Sequence, residues 1–146
     1  MTPEQLRLVQ TTALQVEEES EHFSADFIDS LVWAAPDLRR LLPSDPIALA
    51  ELRRSVVREF VYLAELASDV PTFVCRTRRL GAVNHRRGGR LEHFPAAEHA
   101  LVAALASTLG DAFTPETERA WRKLYRLITE TMLEGAAAEQ FGRRQC

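Results

Sequence analysis

Four places in this chain set a side-chain oxygen just ahead of a proline: Thr2-Pro3, Asp45-Pro46, Asp69-Val70-Pro71 and Thr114-Pro115. The oxygen can accept from a free amide in the first turn of a helix, and proline, lacking an N–H, fits where that amide has no partner. At the first of them Gln5 completes a capping box with Thr2. Each pair therefore predicts a helix start. Pro95 opens a further helix, Pro36 breaks the second, and Gly88-Gly89 and Gly110 end two others. Between these marks the apolar residues recur at helical spacing: Phe23, Phe27 and Leu31; Leu49, Leu52, Val56, Phe60 and Leu63; Trp121, Leu124, Tyr125, Ile128 and Met132. No stretch alternates as a strand would, and no repeat is present. The expectation is an all-α domain of six to eight helices spanning residues 1–146, with a frayed tail from about 136.

Composition narrows the function. Eighteen basic against 21 acidic side chains give a net charge of −3, which argues against non-specific nucleic-acid binding. No run approaches the length of a membrane span, and the first residues lack the basic start and apolar centre of a signal peptide. Cys75 and Cys146 form no metal-like pair. Free thiols in a reducing compartment are the simplest reading, so a cytoplasmic protein is expected. The Glu17-to-Glu21 run reads as a solvated helix junction, since consecutive carboxylates on a helix do not converge on a metal.

The order and spacing of several short pieces resemble the bacterial globins, single-domain relatives of the flavohaemoglobin globin module. A helix ending in Leu-Gly-x-x-His is matched to Leu80 to His85. It is followed by Glu92 to Pro95, Ala100 to Leu105, Leu109 to Glu116, Ala120 to Tyr125 and Ile128 to Met132. Phe27-Ile28-x-x-Leu31 with Pro36-Asp37-Leu38-Arg39 is similar to the family's second helix. Between Gly89 and His93 the chain is one residue shorter than the family pattern, which tightens the loop after His85. Periodicity alone would serve a helical bundle as well; the resemblance implies a globin fold around a haem pocket.

That resemblance implies a set of roles. His85 would bind the iron of a haem b, with its other ring nitrogen donating to a carbonyl near Leu80 or Gly81. No Cys-x-x-Cys-His is present, so attachment would be non-covalent. On the opposite face, Ile28 falls where relatives place a Tyr, Leu52 where they place Gln or His, and Leu42 where they place a Phe, with Val56 one turn beyond Leu52. All are aliphatic and offer iron-bound oxygen no hydrogen bond. Beside His85, Phe94 replaces a Tyr and Ala136 replaces a Glu, while Glu134 is out of register. Ile128 completes the expected wall. Six arginines between Arg76 and Arg90 read either as a solvated face, as a rim for the haem propionates with Arg79 or Arg86 nearest His85, or as a patch for an acidic partner. His93 is expected to hydrogen-bond or pack the loop, and His22 and His99 to be exposed.

The function implied is reversible binding of a diatomic gas (oxygen, carbon monoxide or nitric oxide) at five-coordinate iron, as carrier, scavenger or sensor, with no catalytic residue assigned. A nitric oxide dioxygenase served by a separate reductase is one alternative. A haem-free interaction domain of the same fold is the other.

Overall fold

A computed structural model describes residues 1–144 and 146. Six α-helices run α1 Pro3–Glu18, α2 Ser20–Ala34, α3 Pro46–Leu66, α4 Val70–Arg86, α5 His93–Leu109 and α6 Pro115–Gln140, with 3₁₀ turns at Pro36–Leu41 and Gly110–Ala112. No strand occurs among the described residues.

The four predicted starts are capped by the expected oxygens. Thr2 accepts from the Gln5 amide at 3.1 Å, and the Gln5 side-chain oxygen accepts in turn from the Thr2 amide. Asp45 accepts from Ala48, Asp69 from Thr72 and Thr114 from Thr117. Pro95 sits two residues inside α5 rather than at its start, a place still within the first turn, where a missing donor costs nothing. The acidic run contains the α1–α2 break itself, at Glu19.

Two expectations are corrected. The tail does not fray at 136, because α6 continues to Gln140. The cysteines are not free: Cys75 on α4 and Cys146 form a disulfide across a sequence separation of 71. The thiol argument for a reducing compartment, and with it for the cytoplasm, falls. No helix among the described residues is long and apolar enough to cross a membrane.

The core is a continuous cluster drawn from α1 to α6, with Phe23, Leu101, Leu105, Trp121 and Leu124 almost wholly enclosed. Its one buried indole is satisfied: Trp121 Nε1 donates to Thr12 Oγ1 at 2.8 Å, and Thr12 donates on to the Leu8 carbonyl. Phe27 meets Phe60 edge-on at 5.3 Å between centroids, joining α2 to α3.

The contact that positions everything below lies between α4 and α6. A Cβ on Gly81 would stand 1.9 Å from the Met132 carbonyl oxygen, and one on Gly135 would stand 2.0 Å from that of Arg78. Both glycines are there because two backbones touch. Arg78, Gly81 and His85 share one side of α4 at spacings of three and four, so the Gly81 contact turns that whole side toward α6.

Candidate functional site

A cavity of about 650 Å³ opens between α3 and α4. Phe27 and Leu31 of α2, Leu38 and Leu41 of the 3₁₀ turn and Val56, Phe60 and Leu63 of α3 form one wall. Leu80, Val83 and Asn84 of α4, Phe94 and Ala97 of α5 and Tyr125, Ile128 and Met132 of α6 form the other. The polar lining includes Glu59, Arg87, Arg90 and His93.

Several of these polar groups are already engaged. Glu59 takes a two-pronged ion pair from Arg76, both bonds at 2.8 Å. The Tyr125 hydroxyl donates to the Phe94 carbonyl at 2.6 Å, and burial pushes the phenol up to about 12, so it stays neutral. The Arg90 amide donates to His93 Nδ1 at 3.2 Å, which leaves the ring proton on Nε2, and Nε2 donates to Asp37 Oδ2 at 2.8 Å. That bond ties the 3₁₀ turn to the start of α5 and holds the Asp37 carboxyl below its ordinary range. Asp37, Glu92 and His93 bring three metal-ligating types within 4.8 Å. With its proton on Nε2 the imidazole is a donor there, not a metal ligand.

Four predicted residues line this cavity: Val56, Leu80, Phe94 and Ile128. The others are elsewhere. Ile28 is buried in the core, since α2 gives Phe27 and Leu31 to the cavity and Ile28 is turned 100° from Phe27. Leu42 packs on the core just past the 3₁₀ turn, and Leu38 and Leu41 take its expected place. Leu52 lines an outer depression with Arg54 and Arg58, because α3's first turns run past the end of the cavity. Arg86 is paired with Glu139 at 3.1 Å and Arg79 is exposed away from the cavity. The lining arginines are instead Arg87 and Arg90; the sequence could have shown the first, since Leu80, Val83, Asn84 and Arg87 recur at three and four.

His85 is the main correction. It is exposed, and it lines a separate space of about 250 Å³ with Gly81, Leu133, Ala136, Ala137 and Gln140. Phe94 and Ala136 border that space too, so the three positions matched to the family's His, Tyr and Glu do meet there. Glu134 is turned away, paired with Arg78 at 2.8 Å. The two spaces share Asn84, Gly89, Arg90, Phe94 and Met132 as a partition.

The globin family profile matches residues 48–132, from the start of α3 to Met132. The chain belongs to the globin family. It is similar to flavohemoproteins of Bacillus subtilis (20% identical over 128 residues, 88% of this chain and 32% of that protein), Bordetella pertussis (23% over 133, 91% and 33%) and Deinococcus radiodurans (27% over 137, 91% and 33%). This globin thus spans about a third of the length of the curated relatives it matches.

Proposed function

We propose that this globin holds a haem b, without covalent attachment, in the 650 Å³ cavity, and handles a diatomic gas as carrier, scavenger or sensor. The observation that carries the reading is the lining itself: apolar side chains from α2 to α6, with two arginines among them. A cavity of this size and character suits a cofactor-sized ligand, and a flat apolar ring bearing carboxylates matches its two chemistries. Haem would supply an iron able to bind gas. The residues of this chain would do the rest. Phe27, Val56, Phe60 and Ile128 would pack on the ring and keep water out, and Arg87, together with Arg90 on leaving its 3.4 Å surface pair with Glu92, would take its carboxylates as charge-assisted hydrogen bonds. The bond from His93 to Asp37 would hold the mouth to one width.

Walls and arginines fit the group; the iron ligand does not. His85 stands behind the partition, so no gas-binding step is derived through it. That same observation favours a second reading, a haem-free globin domain whose cavity takes another amphipathic acid. The nitric oxide dioxygenase alternative has less support, since the Tyr125 hydroxyl and the His93 ring are both committed to partners. A separate reductase remains the partner that any turnover at iron would need.

Absorption spectra of the purified protein after haem reconstitution, oxidised, reduced and under carbon monoxide, test the reading. A Soret band that titrates to one equivalent is expected. Its complete absence would refute haem binding and leave the second reading.

A further inference from the structure

The residue of α4 that faces the large cavity at the helix end is Asn84. Three features fix it there. The Gly81 contact with Met132 sets the rotation of α4 about its axis. The helix then closes in a Schellman turn, with the Gly89 amide bonded to the Asn84 carbonyl at 2.9 Å, the Gly88 amide to that of His85 at 3.1 Å, and Gly88 at φ 89°. Finally the Gly89 backbone lies against the Asn84 amide group, where a Cβ would come within 2.2 Å of Nδ2. Exchanging Asn84 for His85 requires α4 to turn by about 100°, one residue's worth. Such a turn would take Gly81 off α6 and swing a side chain into its place.

The sequence agrees with this register. Counted from Leu80-Gly81, the spacing Leu-Gly-x-x-His lands on Asn84, because three residues and not two separate Gly81 from His85. Counted from Asn84 instead of His85, the segment up to His93 is one residue longer, which offsets the residue by which the chain is short between Gly89 and His93.

We infer that Asn84, not His85, occupies the place of the axial iron ligand in this globin, and that the cavity binds a dicarboxylate tetrapyrrole through its walls and two arginines, with or without a metal. The inference rests on the reading that the cavity takes such a ring. A neutral amide is a poor ligand for iron beside an imidazole, so the metal adds little to the binding. What remains is burial of the ring and pairing of its carboxylates with Arg87 and Arg90, neither of which depends on iron.

The test is a titration with metal-free protoporphyrin IX, followed by its fluorescence, and a parallel titration with haem, followed by absorbance. Wild type, His85→Ala and Asn84→His are compared, with circular dichroism to confirm folding. Wild type should bind the two rings within about tenfold of each other. His85→Ala, an exposed position, should change neither affinity by more than about twofold. Asn84→His should leave protoporphyrin binding unchanged, tighten haem at least tenfold and give the reduced protein a His-ligated spectrum. The inference is overturned, and the haem reading kept, if His85→Ala weakens haem at least tenfold while sparing protoporphyrin. Should neither ring bind to wild type or to Asn84→His, the tetrapyrrole reading falls with it. If protoporphyrin binds both proteins but wild type binds haem more than tenfold more weakly, binding is not indifferent to the metal and the inference is overturned.

Discussion

Gly81→Ala is the sharpest single perturbation of this fold. The added methyl would lie 1.9 Å from the Met132 oxygen and 2.5 Å from its carbonyl carbon, whereas non-bonded heavy atoms rest at about 3.5–4.0 Å. Both clashing groups belong to helix backbones, so no side chain can swing aside, and α4 must lift from α6 by roughly 1.5 Å to reach that range. Overpacking of this kind costs about 1–3 kcal/mol, and the rigid obstacle puts it at the upper end. Alanine returns about 1 kcal/mol of helix propensity. The net expectation is a loss of about 2 kcal/mol, read as a lower urea midpoint at unchanged slope, or about 4–8 °C in melting temperature. Gly135→Ala should cost a similar amount. The double variant should cost clearly less than the two together, since helices already parted by one methyl have room for the second. An unchanged or raised midpoint for Gly81→Ala would show that the helices are not in backbone contact and that the register of α4 is not held there.

Asp37 gives a pH signature. Its carboxyl is depressed chiefly by the hydrogen bond from His93, so its contribution is present above the unfolded value of about 3.9 and is lost as pH falls through the lower folded value; Asp37→Asn should flatten the melting temperature against pH below about pH 4 and leave the dependence above pH 5 as in wild type. Tyr125→Phe removes the side-chain bond to the Phe94 carbonyl and should cost about 0.5–1.5 kcal/mol in urea unfolding. In wild type the Tyr125 phenol should ionise only near pH 12 in an ultraviolet titration, and a transition near 10 that disappears in Tyr125→Phe would contradict its burial.

The helices were legible because their signals are local: a capping oxygen and a proline within one turn, or an apolar residue every third or fourth place. The globin fold was legible through the order of such pieces. The cavity walls were legible at Val56 and Ile128, which sit mid-helix on long stripes, and at Leu80 and Phe94, which the resemblance supplied. Misplacement came where a shift of one residue turns a side chain by 100°. Ile28 and His85 each sit one step from a residue that lines the cavity, Ile28 beside Phe27 and His85 beside Asn84. Within α4 the count from Leu80-Gly81 favours Asn84 over His85; what fixes it is Gly81 against Met132, 51 positions apart, and the Schellman turn that follows. The ion pairs were equally out of reach: Arg86 could be read as a rim residue only until Glu139 was seen beside it.

The bond between Cys75 and Cys146 makes α4, α5 and α6 parts of one covalent ring. The exposed arginines Arg86 and Arg87, at the C-terminal end of α4, lie inside that ring. A protease that cuts there opens a gap in the backbone yet releases nothing: the two pieces remain one molecule, and migrate as one until a reductant is added. Damage at the mouth of the cavity would add only one water to the molecule and be silent on a gel run without reductant, where reduction would reveal the nick.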